Sequence, residues 1–294
     1  MGCGSWSTSD YKSYAKKTRG VSASISSTGA LCFDGDSNVN QVFKSYHLHE
    51  DLDIKGKVRE CCDNEEHPNT VPVILALDVT GSMGSSAMEC AKKLNVIMNT
   101  LLNEVKDVEF SIMAIGDVAY DDAPIQMSQF ESDVRIAEHL DKVYFEGGGG
   151  GNSYESYSLA WYCGLNNARL DCWKRGKRGI IITLGDEPLN PVLAKEKLKK
   201  FCGHNVQADV QTNDLYHEAV DKYDIYHIIV KDGYGYGHYN FDSWKNLLPE
   251  DHVIETRVSG LEQIIPNIIK TSVANDTGLV SPVATPYSDE VVTW

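Results

Sequence analysis

The stretch Val73–Gly84, VILALDVTGSMG, runs five apolar residues into a carboxylate and then sets two hydroxyls, Thr80 and Ser82, two positions apart. An uninterrupted apolar run of this length predicts a strand buried on both faces, as at the centre of a parallel sheet. Directly downstream, Cys90, Leu94, Ile97, Met98, Leu101 and Val105 recur at spacings of three and four, which predicts an amphipathic helix over Ser85–Val105. Strand, polar turn and helix in that order put Asp78, Thr80 and Ser82 at the carboxyl end of the strand. Open parallel sheets bind their ligands at such ends.

The same alternation continues outward. Strands are predicted at Val108–Ile115, Ile180–Leu184, Ile225–Val230 and Val253–Val258, with Pro124–Phe130 as an antiparallel edge strand after a turn through Asp121 and Asp122. Helices are predicted at Asp133–Val143, Tyr154–Trp173, Leu193–Phe201, Asn213–Lys222, Phe241–Leu248 and Leu261–Val273. The pattern implies a three-layer α/β/α sandwich around a doubly wound, mainly parallel sheet of roughly six strands with one short antiparallel edge strand.

Residues 71–273 make up this domain. Residues 1–70 are a Ser/Gly-rich, irregular N-terminal arm that packs on the domain in places, and residues 274–294 are a tail in which Pro282 and Pro286 oppose regular structure. Within the arm, Val21, Ala23 and Ile25 alternate ahead of Thr28-Gly29, which predicts a small hairpin. Val39, Val42, Phe43 and Tyr46 fall at helical spacing and predict one short helix.

The 294 residues carry a formal charge of −15, a balance that repels phosphate backbones and argues against a nucleic-acid partner. No run approaches the ~18 apolar residues of a membrane span. The eight cysteines contain no CxxC pair, so buried, reduced thiols in a cytoplasmic protein are expected. His47-x-His49 has no evident third ligand, and no histidine stands in a nucleophile pattern.

Three polar segments are expected at the carboxyl edge of the sheet. These are Asp78, Thr80 and Ser82; the loop Gly147–Glu155 with its five glycines; and Asp186 after the strand Ile180–Leu184. Carboxylate, hydroxyl and amide oxygens without thiol or imidazole select Mg²⁺, Mn²⁺ or Ca²⁺ over zinc or copper, and the residues leave the choice among the three open. A cation with few protein carboxylates keeps a position open for the carboxylate of a visiting Asp or Glu. Asp117, Asp121 and Asp122 are expected to form a solvated acidic loop, while Tyr234, Tyr236 and Tyr239 in DGYGYGHYN have the composition of a contact surface.

DVTGSMG resembles the Asp-x-Ser-x-Ser metal motif of von Willebrand factor A domains, with Thr80 in place of the first Ser. The resemblance spans about Val71–Val273 and implies a doubly wound fold with a metal-ion-dependent adhesion site. In that family the site also uses a later loop Thr and a later Asp, to which Asp186 corresponds by position. The Gly-Gly-Thr of the family is replaced here by GGGGGNSYES, so Asn152 or Ser153 stands in for the Thr, with Glu155 near enough to help. This loop, with IGDVAYDD and GDEPLNP, is more similar to the bacterial, phage and alpha-kinase-linked members than to integrins.

The function so implied is divalent-cation-dependent protein binding without turnover, with metal donors Asp78, Thr80, Ser82, Asn152, Glu155 and Asp186. One alternative is a structural or assembly component of a phage or multiprotein particle whose metal only stabilises the fold. A lesser alternative is a metal-dependent phosphohydrolase. A strand followed by Asp-x-Thr suits a nucleophilic Asp78, but Thr80 occupies the place where a general acid usually stands.

Overall fold

Six strands form the central sheet: β1 (Val71–Asp78), β2 (Val108–Ile115), β3 (Ile125–Met127), β4 (Gly179–Gly185), β5 (Tyr223–Val230) and β6 (Val253–Thr256). In this computed structural model, residues 7–19, 23–25, 31–33, 45–93, 97, 101, 104–147 and 151–275 are described. The spatial order is β6-β5-β4-β1-β2-β3, with only the β2–β3 pair antiparallel. The chain therefore winds from β1 toward one edge and from β4 toward the other. The crevice between the ends of β1 and β4 is the switch point, where no connection crosses over the strand ends. Register brings Leu77 opposite Leu184, so Asp78 and the residues after Gly185 emerge side by side.

The alternation of side chains along β1 divides the core. Val73 and Leu77 face a layer that includes Ala87 and Cys90 of α1 (Ser85–Lys92), Ile136 and Leu140 of α2 (Arg135–Asp141), and Leu261, Ile265 and Ile269 of a long C-terminal helix. Ile74 and Ala76 face the opposite layer, with Trp161 of α3 (Ser158–Asn166), Leu198 of α4 (Lys195–Phe201), Leu215 of α5 (Thr212–Ala219) and Trp244 of the short α6 (Asp242–Lys245). The C-terminal helix is α7 (Leu261–Asn275). Helices on both faces explain why β1, β2, β4 and β5 are apolar almost throughout. The fold is the doubly wound, mainly parallel α/β/α sandwich expected, with one short antiparallel edge strand.

One local expectation is corrected. The predicted helix Tyr154–Trp173 is confined to Ser158–Asn166, followed by a strand at Ala168–Leu170 and a 3₁₀ turn at Asp171–Arg175. The helix stops because its next residue is bound from far away. Asn167 accepts at its carbonyl from the Arg59 N–H at 2.7 Å and donates its amide to the Lys57 carbonyl at 3.0 Å. Ala168–Leu170 then pairs in parallel with Arg59–Cys61. The helix predicted over Ser85–Val105 is described as α1, and later backbone bonds from Ile97 to Lys93 and Val105 to Leu101 keep helical spacing. Leu94 and Met98 lie outside the described residues.

Ahead of β1, Leu52 and Ile54 are buried against the two core layers. A helix at Thr8–Arg19 reaches the domain through Tyr14, whose hydroxyl donates to Asp141 at 2.7 Å. The expected hairpin is present as Ala23–Ile25 paired antiparallel with Leu31–Phe33. Residues 39–43 of the predicted short helix and the segment 276–294 lie outside the described residues, and Tyr46 sits exposed in a bend. Cys61, Cys90, Cys163 and Cys202 are buried thiols, the last two 3.8 Å apart.

The single polar residue of the β4 run, Thr183, is explained by register. It lies opposite His227 of β5, and its hydroxyl is 2.9 Å from the imidazole Nδ1. His227 is fully buried and stacks on Trp244 with ring centroids 3.6 Å apart. Burial holds its pKa well below the usual 6.5, so the ring stays neutral in the folded protein while the unfolded chain takes up a proton. The stabilisation is thus complete above about pH 6.5 and is lost as pH falls, by about 1.4 kcal/mol per pH unit. Urea titrations of wild type and His227→Gln at pH 7, 6 and 5 should show the stability gap between them narrowing with each step of acidification.

Candidate functional site

β1 delivers Asp78 fully buried at its last position, and the turn that follows folds back onto it. The Thr80 N–H and hydroxyl both donate to Asp78 Oδ1, at 2.9 and 2.6 Å. Thr80 Oγ1 lies 3.2 Å from Ser82 Oγ, and the Ser82 hydroxyl donates to Asp186 Oδ1 at 2.9 Å. Four side chains from the ends of β1 and β4 therefore form one unbroken line of oxygens across the switch point. Thr80 is also buried, whereas Ser82 is half-buried and opens the line toward solvent.

Two groups that sequence reasoning missed complete the line. The Tyr157 hydroxyl donates to Asp78 Oδ2 at 2.5 Å and accepts from the Glu187 N–H at 3.3 Å. Burial and the Asp78 charge raise the Tyr157 pKa, which keeps the phenol a donor. At the other end, the Gly235 N–H donates to Asp186 Oδ2 at 2.7 Å, and the Tyr234 N–H donates to the Ser82 carbonyl at 3.0 Å. The loop DGYGYGHYN thus lies on the site, with Tyr234 exposed and stacked on His238 at 3.9 Å. A side chain at Gly233 would place its Cβ 2.3 Å from Asp186 Oδ2, so only glycine permits that approach. The glycine spacing was the available sequence signal for this contact, while nothing local to Tyr157 announced its role.

The middle loop lies beside the line rather than in it. Glu155 is buried, and its backbone is bound on both sides to the segment after β4: its N–H donates to the Pro188 carbonyl at 3.1 Å and its carbonyl accepts from the Asn190 N–H at 3.2 Å. Its Oε2 is buried without a hydrogen-bond partner. Asn152 donates its amide to Asp117 Oδ2 at 2.6 Å, and Ser153 is exposed and bonded to Tyr239. Asp117 and Asp121, expected in a solvated loop, are buried instead; Asp122 alone of the three is exposed. The reason is that Asp121 accepts from the Asp117 N–H at 2.7 Å and Asp117 from the Ala119 N–H at 2.8 Å, satisfying the backbone of the tight turn.

Electrostatically the crevice is crowded. Burial, and then the Asp186 charge, push Asp78 upward; burial, and then the Asp78 charge, do the same to Glu155. Burial raises Asp186 as well, and burial followed by Asp186 takes Glu187 up to about 7. The named donors around these carboxylates are hydroxyls, a phenol and backbone N–H groups. Among the described residues, no three His, Cys, Asp or Glu side chains come together as a metal-holding group. A cation here would meet the hydroxyls of Thr80 and Ser82 and the carboxyls of Asp78 and Asp186, directly or through water, with water filling the rest of its shell. The buried, unpartnered Glu155 oxygen and the excess of carboxylate over positive charge fit such a group chemically.

No family model matches the sequence, and no curated protein matches it. Among solved structures, the chain is similar to the pilus adhesin SpaC from Lactobacillus rhamnosus GG in its open conformation, at 13% identity over 76% of this chain and 31% of that one, with a TM-score of 0.48. It is similar to proximal thread matrix protein 1 from the mussel byssus at 11% identity, covering 72% and 49% of the two chains, with a TM-score of 0.47. The vWF domain of the type V pili tip protein Mfa5 from Porphyromonas gingivalis is 10% identical, over 70% of this chain and 96% of that one, with a TM-score of 0.42. The chain spans less than a third of the length of SpaC. Likeness at this level leaves the chemistry to the chain's own residues. No helix among the described residues is long and apolar enough to cross a membrane.

Gly185 tests the assembly of the site without changing the identity of any donor side chain. A Cβ there would lie 1.9 Å from the Tyr157 hydroxyl. Gly185→Ala should displace Tyr157 from Asp78 and cost about 1–3 kcal/mol in urea unfolding. Tyr157→Phe removes the hydroxyl contact but leaves two ring carbons 2.5 Å from that Cβ, so it should recover little of the loss in the Gly185→Ala background.

Proposed function

We propose that the chain is a divalent-cation-dependent protein-binding module in which Asp78, Thr80, Ser82 and Asp186 hold Mg²⁺, directly or through water. Mn²⁺ and Ca²⁺ share the preference for oxygen. The observation that carries this reading is the continuous line of oxygens from Asp78 through Thr80 and Ser82 to Asp186, drawn from two strands at the switch point. Glu155, buried with an unpartnered oxygen, would receive a water of the ion's shell, and Asn152 or Ser153 would supply the further oxygen from the glycine loop. The half-buried Ser82 marks the side from which a partner's Asp or Glu would complete the shell.

The role is binding rather than turnover. Asp78 has both oxygens engaged, by Thr80 and by Tyr157, and is fully buried, which suits an orienting carboxylate and not an in-line nucleophile. The motif and fold together give the resemblance to von Willebrand factor A domains its functional content: adhesion or assembly through a shared cation.

Isothermal titration of Mg²⁺ into metal-free protein should give binding heat for wild type and none for Asp78→Ala. Equal heats from both would dispose of the site. At Mg²⁺ one hundred times its Kd, wild type should gain about 2.7 kcal/mol of stability. Capture of a partner that survives chelation would instead favour an assembly role in which the ion only stabilises the fold.

A further inference from the structure

The acidic turn after β2 and the glycine run ahead of α3 are far apart in sequence yet joined at both sides of the run. Before it, Glu146 accepts from the backbone N–H groups of Asp122 and Ala123, at 2.7 and 3.2 Å. After it, Asn152 donates to Asp117 Oδ2 at 2.6 Å. Asp117 Oδ1 takes the Ala119 N–H at 2.8 Å and lies 3.4 Å from the Ser156 hydroxyl, whose oxygen accepts from the Val118 N–H at 3.1 Å. Asp117 is 1% exposed, so these contacts replace its hydration.

We infer that Asp117 is a positioning residue of the cation site: it fixes the segment Asn152–Ser156 and thereby holds Glu155 against the segment that follows Asp186. This rests on the proposed reading of that site. The physical logic lies in the loop's composition. A run of five glycines has the largest backbone entropy to lose, so nothing in the run itself sets where Glu155 goes. Position must be imposed from outside. The segment after β4 binds the Glu155 backbone through Pro188 and Asn190, and Asp117 binds Asn152 and Ser156 on either side. Together they hold the loop between the ends of β2 and β4. A carboxylate suits position 117 because it only accepts, and every group turned to it only needs to donate. Asparagine there would turn an NH₂ toward either the Asn152 amide or the Ala119 N–H, leaving one donor unmet.

The test uses the full chain as wild type, Asp117→Asn, Asn152→Ala and the swap Asp117→Asn/Asn152→Asp, read by Mg²⁺ titration calorimetry and by amide hydrogen exchange of the metal-free proteins. Asp117→Asn and Asn152→Ala should each weaken Mg²⁺ binding about tenfold or more. Both should also speed exchange at the Val118 and Glu155 amides, and the swap, which restores a donor–acceptor pair, should return affinity and protection toward wild type. Exchange and affinity unchanged in both single variants would overturn the inference, as would a swap that restores neither. A wild type that gives no Mg²⁺ heat, with exchange still faster in Asp117→Asn, would remove the cation reading and uphold the clamp.

Discussion

The structure turns on keeping several carboxylates in one buried crevice with no cationic side chain, among the described residues, at their centre. Asp78 lies at the end of one of the two middle strands, where burial alone costs a charged group several kcal/mol. Its oxygens are met by the Thr80 N–H, the Thr80 hydroxyl and the Tyr157 phenol, and those of Asp186 by Ser82 and the Gly235 N–H. Neutral donors soften the penalty without cancelling the charge. Asp78, Glu155, Asp186 and Glu187 all remain pushed upward. A fold that tolerates this arrangement gathers carboxyl groups that favour their protonated form at the place where its topology leaves a gap.

That arrangement depends on close packing from three directions. Tyr157 reaches Asp78 because Gly185 has no side chain, and the Tyr- and Gly-rich loop reaches Asp186 because Gly233 has none. Below them, Tyr157, His227, Trp244 and Trp161 form a buried aromatic group that gives the crevice a stiff floor. The donors are thereby held in place before any ligand arrives, the condition under which polar groups bind with little reorganisation.

Much of the architecture was legible from pattern alone. Strand β2 falls at its predicted bounds, and β1, β4 and β5 contain their predicted runs, because strands buried on both faces are necessarily apolar. The failures share one cause. Asn167 ends its helix early because Arg59 and Lys57, more than a hundred residues upstream, bind it. Asp117 and Asp121 are buried because the turn they close needs acceptors, although their spacing has the look of a solvated acidic loop. Tyr157 carries no local mark of its bond to Asp78.

Apolar runs and the polar breaks that end them already put Asp78, Thr80 and Ser82 after a central strand and Asp186 after another. Only the tertiary structure decided that these ends are neighbours, that Ser82 bridges to Asp186, and that Asn152 turns to Asp117 while Glu155 keeps an unpartnered oxygen. Strand order and loop packing are properties of long-range contacts. A one-dimensional pattern encodes which residues must be buried, but not which buried residues meet.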